Sequence, residues 1–186
     1  MDNIILETER LILRKWSIDD IDDLVEGLND IEITKWHALY SYPFTKEDAK
    51  NEIESILKKY DNPDYYNWAI VLKEENKVIG RVGLYDIYDD VAHAGGIWIN
   101  RKYQGKGYAK EALIARTEFA FDKLNLRKIE NGFYEGNEAS KQLQEKLGYK
   151  IEGLKREAIR CRADGIIKNE YITGLLKKDW ENIRQR

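Results

Sequence analysis

Between residues 96 and 134 the sequence reads as a strand, a glycine-rich turn, a helix and a second strand, and that order leaves few folds open. The first strand is Gly96-Ile97-Trp98-Ile99 and the turn is Gln104-Gly105-Lys106-Gly107-Tyr108-Ala109. The helix carries Ala109, Ala112, Leu113, Ala120, Phe121 and Leu124 on one stripe, and the second strand centres on Ile129. Two strands of one sheet joined through a crossover helix run parallel, and the crossover is right-handed. Elsewhere the period-two pattern belongs to hairpins. Trp68, Ile70 and Leu72 lead through the polar turn Glu74-Glu75-Asn76 to Val78, Gly80 and Val82, and two final strands flank Ala163-Asp164-Gly165. The expectation is an α+β chain with a mixed, mostly antiparallel sheet of about seven strands, flanking helices and one parallel pair.

Local signals place the rest. Leu11, Ile12, Leu13 and Arg14 form an opening strand, after which Ser17 caps a helix carrying Ile18, Ile21, Leu24, Val25 and Leu28, with Asp20 at its third position. Thr45 and Asp48 repeat that arrangement ahead of Ala49, Ile53, Ile56 and Leu57. Asn137 caps a short helix through Ala139, Leu143 and Leu147, which Gly148 ends. With only two prolines and no repeat or low-complexity segment, residues 1–186 are expected to form one domain.

Composition removes several function classes. Thirty-one basic and 34 acidic side chains leave a net charge of -3 with no basic block, so nucleic acid is not the expected partner. The two histidines, His37 and His93, stand without neighbouring ligands, and no metal site is expected. Cys161 is the sole cysteine, which fits a reducing, cytoplasmic setting. The opening Met1-Asp2-Asn3-Ile4-Ile5-Leu6-Glu7 is no export signal, and no run approaches the ~20 apolar residues of a membrane span. Oligomeric state is not readable from these features.

The glycine turn is the chemical signal. Gly105 and Gly107 free the backbone so that successive N–H groups can face one concavity, and the helix behind them adds the partial positive charge of its N-terminus. Lys106 brings a mobile charge, Gln104 an amide that can brace the loop, and Ala109 keeps the first helical turn small. Taken alone, such a turn reads equally as an ordinary strand-to-helix connection. It is not a P-loop, since Tyr108 stands where the lysine and hydroxyl residue would follow, nor a dinucleotide fingerprint.

In context the residues resemble the GNAT superfamily of acyl-CoA-dependent N-acyltransferases, whose signature is Gln/Arg-x-x-Gly-x-Gly/Ala; Gln104, Gly107 and Ala109 fill its fixed positions. The segments Glu7 to Arg14, Gly96 to Ile99, Tyr103 to Ala112, Asn137 to Ser140, Glu145 to Tyr149 and Glu152-Gly153 extend the resemblance over nearly the whole chain. They point toward the Rim-type branch, which acetylates N-terminal amines of ribosomal proteins. The resemblance implies acetyl-CoA as cosubstrate, held by Gln104, Gly105, Lys106, Gly107, Tyr108 and Ala109, by backbone groups of Ile97, Trp98 and Ile99, and by Asn137, Ser140 and Lys141. It also implies direct attack by a primary amine, with Ser140 donating to the departing sulfur. Asn137 and Lys141 read equally as a helix cap and a solvated lysine.

Two positions leave the family pattern. Gln144 stands where many members carry a tyrosine acid, and His93-Ala94-Gly95-Gly96 stands where many carry a glutamate base. Rim-type members place a glutamate after Glu152-Gly153; that count reaches Ile159, and Glu157, two residues earlier and so on the same strand face, is the expected base, reading equally as a surface strand carboxylate, with an ordered water as the other proton acceptor. The aromatic segment around Trp36, His37 and Tyr40 is expected to line the acceptor pocket. A peptide N-terminal amine, a small-molecule amine, and an acetyl-CoA-binding module without turnover all remain open on these residues.

Overall fold

A computed structural model of the chain describes residues 4–185. It contains β1 (Leu6–Glu7), β2 (Leu11–Arg14), α1 (Ile21–Leu28), α2 (Ile31–Thr34), α3 (Lys46–Leu57), β3 (Tyr66–Leu72), β4 (Lys77–Tyr88), β5 (Val91–His93), β6 (Trp98–Ile99), α4 (Tyr108–Glu118), β7 (Lys128–Tyr134), α5 (Glu138–Lys146), β8 (Lys150–Arg160), β9 (Ile167–Leu176) and α6 (Lys177–Arg184). The sheet order is β1-β2-β3-β4-β5-β7-β9-β8, with β6 paired to β4. Nine strands stand where about seven were expected. The two additions are the two-residue β1 and the three-residue β5, which the sequence pattern did not separate from their surroundings.

Both capping boxes form. Ser17 N–H donates to Asp20 Oδ2 at 2.8 Å ahead of a short 3₁₀ turn and α1, and Thr45 N–H donates to Asp48 Oδ2 at 2.8 Å ahead of α3. These contacts satisfy orphan donors within one turn of chain. Strands β2 to β4 bury both faces, so two cores form. Leu11, Leu13, Trp68, Ile70, Val82 and Leu84 pack toward α4, while Ala69, Val71, Val78 and Trp98 pack with Leu24, Leu28, Ile53 and Ile56 of α1 and α3. The five-residue π segment Phe119–Lys123 prolongs α4 and lays Phe119 edge-on against Trp68, ring centroids 5.4 Å apart.

One parallel pair is present, but its first strand is Val91–His93 rather than Gly96–Ile99. Val91 lies opposite Lys128, Ala92 opposite Ile129 and His93 opposite Glu130. Ala94 N–H donates to Glu130 O at 2.7 Å, and then the strands part. β6 turns to β4, with Gly80 opposite Ile99 and Arg81 opposite Trp98, while the end of β7 is paired with β9 alone. Gly95 sits at the fork because the Tyr85 ring occupies the space a Cβ would need. The resulting gap between Gly96-Ile97 and the distal half of β7 positions everything that follows. Among the described residues, no helix is long and apolar enough to cross a membrane.

Candidate active site

The glycine turn forms an anion cradle. Gly105 and Gly107 take φ of +76° and +86°, in the left-handed region that strains any residue with a Cβ. Gly107 is the N-cap of α4 and supplies no side-chain hydrogen bond, so the N–H groups of Tyr108, Ala109 and Lys110 have no partner among the described residues. A diphosphate fits this donor set without a metal ion. The Gln104 side chain is turned inward: its Nε2 donates to Ile99 O at 2.9 Å and braces the loop.

The cradle is clamped from a distance the sequence pattern did not reveal. Glu111, in the first turn of α4, accepts from Thr8 Oγ1, from Arg10 N at 2.9 Å and from Arg10 Nε at 2.7 Å, while Arg10 Nη1 donates to Lys106 O at 3.0 Å. Arg10 also stacks 4.5 Å from the centre of the Tyr108 ring. Burial pushes the Glu111 carboxyl up, but the bonds from Thr8 and Arg10 outweigh it and hold Glu111 below the ordinary value. Its negative charge, which would oppose an anion at this helix end, is offset by the Arg10 guanidinium 2.6 Å away.

From the cradle one cleft of about 1120 Å³ continues through the gap to the other face of the sheet. Its donor half is lined by Ile97, Ile99, Gly105, Gly107, Tyr108, Ala109, Asn137 and Ser140. Gly96 and Ile97 belong to neither ladder, so their backbone groups face the gap. Trp98 is 3% exposed with its ring in the second core, and it pairs with Arg81 with its carbonyl turned toward Gly80 of β4, so it is Ile97 and Ile99 on either side that offer backbone groups to the cleft. Asn137 Oδ1 accepts from Ser140 N at 3.2 Å, and its Nδ2 has no acceptor among the described residues. Cap and cleft lining are therefore the same residue.

Gln144 explains what replaces the tyrosine. It is buried, donates from Nε2 to Gly132 O at 3.0 Å and to Ser140 Oγ at 3.1 Å, and accepts from Thr173 Oγ1 at 2.6 Å. Because Gln144 fills an acceptor lone pair of the Ser140 hydroxyl, the Ser140 O–H remains free to donate.

The acceptor half is lined by Trp36, His37, Tyr40, Glu52, Arg81, Gly96 and Trp98, with Lys155, Arg162 and Glu170 at its mouth. The segment after α2 is pinned to the β8–β9 turn: Arg162 N–H donates to Ala38 O at 3.2 Å, and the buried Cys161 thiol lies 3.5 Å from Lys35 O. Burial, then the Arg81 guanidinium, push His37 down to about 3, so its imidazole is neutral. A Cβ on Gly96 would lie 3.3 Å from His37 Nδ1, which places that imidazole directly over the fork.

Three expected residues do not reach the cleft. Glu157 lies on the edge strand β8 at φ +48°, inside a break in register between Lys155 and Ile159, and is exposed, with its N–H donating to Asn169 Oδ1. The bulge cancels the alternation on which its placement depended. Lys106 is not among the lining residues, its Nζ 5.5 Å from the centre of the Tyr103 ring, and neither is Lys141, 3.9 Å from Glu138. His93 lines the cleft at its far edge, 3.6 Å from Glu130, whose carboxyl is held below its ordinary value first by the hydrogen bond from Lys128.

A family model described as an acetyltransferase (GNAT) domain matches residues 10–150. The chain belongs to the GNAT acetyltransferase family. It is 33% identical to the uncharacterized N-acetyltransferase p20 of Bacillus licheniformis across 94% of this chain and 97% of that protein. It is 28% identical to the [ribosomal protein uS5]-alanine N-acetyltransferase of Escherichia coli across 58% and 55% of the two chains. The crystal structure of a GNAT-family acetyltransferase from Bacillus anthracis superposes with a TM-score of 0.80 at 26% identity, covering 94% of this chain and 99% of that one. The GNAT chain is thus an N-acetyltransferase, and acetyl-CoA is its donor.

Proposed function

We propose that this GNAT chain, acting as a single domain, acetylates the α-amino group at a peptide N-terminus by direct attack within a ternary complex. One observation carries the reading: the cleft passes without interruption from the cradle, through the fork, to a mouth formed by exposed Leu39, Lys155 and Arg162. An acceptor longer than its reacting amine has room to continue outward there. The similarity to an enzyme named for the alanine of a ribosomal protein supports the same acceptor class.

Acetyl-CoA supplies the activated acyl carbon when bound. The N–H groups of Tyr108 and Ala109, with the backbone of Gly105 and Gly107, hold the diphosphate. Backbone groups of Ile97 and Ile99 hold the donor arm, while Trp98 between them pairs with Arg81, and they place an N–H at the thioester oxygen, where negative charge develops. Asn137 Nδ2 donates to the same arm. The Ser140 O–H, oriented by Gln144, donates to the departing sulfur. Trp36, His37 and Tyr40 wall the acceptor against water, and the neutral His37 avoids repelling an incoming ammonium.

Purified protein with acetyl-CoA should yield acetylated peptide by mass spectrometry from a panel of N-terminal Ala and Ser peptides, with polyamines and aminoglycosides as competing arms. Preferential acetylation of the small amines would reassign the acceptor. Binding of acetyl-CoA without product on any arm would remove the catalytic reading. With an active acceptor, Ser140→Ala should lower kcat about 10²-fold, the lower range of a positioned acid, at unchanged acetyl-CoA affinity.

A further inference from the structure

The acceptor half of the cleft contains a charged pair that no sequence motif marked. Glu52 projects from α3 and Arg81 from β4, where it lies opposite Trp98 beside the fork. Arg81 Nη1 donates to Glu52 Oε1 at 2.7 Å, and Tyr40 O–H donates to the same oxygen at 3.1 Å. The other carboxylate oxygen, Oε2, has no partner among the described residues, and Glu52 lines the cleft with His37 and Gly96. The side chains are 30% and 15% exposed. With Arg81 mostly buried, desolvation offsets much of the pair's attraction.

Around Glu52 the fork holds one cation and otherwise neutral groups. Arg81 faces it from β4, Tyr40 from the segment after α2, Tyr65 and Tyr85 from the β3–β4 side, and His37 across the cleft. Burial raises all three tyrosines and lowers His37, so none of them carries charge at neutral pH. The remaining carboxylates along the cleft each have a lysine beside them: Glu32 with Lys35 at 2.6 Å, Glu130 with Lys128 at 3.0 Å and Glu170 near Lys155 at 3.9 Å.

We propose that Glu52, steadied by Arg81 and Tyr40, receives the acceptor ammonium at its free Oε2 and takes up the proton that the ammonium must lose. The inference rests on the acetyl-transfer reading above and supplies the base that neither the fork strand nor Glu157 provides. The proton passes from nitrogen to Glu52 Oε2. The freed lone pair forms the N–C bond, the C–S bond breaks with its electron pair staying on sulfur, and the second proton that the nitrogen sheds passes by way of the Ser140 hydroxyl to that sulfur, so that amide and thiol leave neutral. The proton on Glu52 then returns to solvent through the cleft mouth. Arg81 is a positioning residue: the hydrogen bond from its Nη1 orients the carboxylate.

The test uses the full chain, acetyl-CoA and a peptide that the wild type acetylates. Glu52→Gln should lower kcat/KM at neutral pH by about 10²-fold or more, within the usual range for a positioned base. Calorimetric affinity for acetyl-CoA should change less than about twofold, because the cradle is untouched. The deficit should shrink as pH rises, since deprotonated peptide amine then arrives from solution, a recovery that a purely structural glutamate would not give. Glu52→Asp keeps the ion pair with Arg81 but withdraws the carboxylate by one methylene, and should fold and still lose about tenfold. A Glu52→Gln rate within threefold of wild type at every pH overturns the assignment. So does an equal deficit at all pH values, and, if the Gln variant does not fold, a wild-type rate in Glu52→Asp. A wild type that acetylates nothing overturns the underlying reading instead.

Discussion

Replacing Gln144 by Leu removes a side chain that is 4% exposed and joins three elements through Gly132 O, Ser140 Oγ and Thr173 Oγ1. The leucine fills most of the volume, so cavity terms are small; the cost lies in the partners left behind. The Thr173 hydroxyl, 2% exposed, and the Gly132 carbonyl each lose their hydrogen-bond partner, at about 1–3 kcal/mol apiece, for a total of about 3 kcal/mol. For a chain of this size each kcal/mol lowers Tm by roughly 2–4 °C, so a fall of about 6–12 °C is expected, measured by calorimetry or urea melts. Thr173→Val in the same background removes one orphan, and the double variant should recover about 1–2 kcal/mol relative to the sum of the singles. Additive losses across that cycle, or a Gln144→Leu cost below about 0.5 kcal/mol, would show that the network does not hold α5 against β7 and β9. The same variant should slow turnover, because it leaves the Ser140 hydroxyl unoriented.

Gly107→Ala places a Cβ at φ +86° and 3.4 Å from Arg10 Nη2; the backbone term of about 1–2 kcal/mol should lower Tm by a few degrees and acetyl-CoA affinity about tenfold. Gly105→Ala meets no atom within 4 Å and should incur the backbone term alone, so equal affinity losses at both positions in calorimetry would contradict the cradle as described. Glu26 is held down to about 2 by the hydrogen bond from Lys102, then that from Lys77. A depressed carboxyl contributes stability above its unfolded value of 4.5 and loses it as pH falls toward 2, about 1 kcal/mol once solvent screening is counted. Urea midpoints of Glu26→Gln should therefore converge on wild type across that window, and parallel pH curves would refute the pairing.

The sequence by itself determined what neighbours in the chain decide. Ser17 with Asp20, Thr45 with Asp48, the Glu74-Glu75-Asn76 turn and the glycine turn were readable, because each is a hydrogen-bonding or steric requirement met within a few residues. Helix α6 was not anticipated: Lys177–Arg184 is polar apart from Trp180 and Ile183, and it is packing on the finished sheet that buries Trp180. The motif likewise established an acyl-CoA site and a fold with one parallel pair.

Tertiary structure decided which strand forms that pair, since Gly95 and the Tyr85 ring come together across ten residues and split Val91–Ile99 into two strands. It also decided which side chains meet at the fork. Arg10 reaches Glu111 across 101 residues, and Glu52 reaches Arg81 across 29, contacts without a period to betray them. Glu157 shows the converse, because a single bulge undid a placement that rested on strict alternation. Backbone propensity and local caps act over one turn, whereas a cleft is assembled from elements whose separation in sequence is set by topology, and only the closed sheet brings its charges face to face.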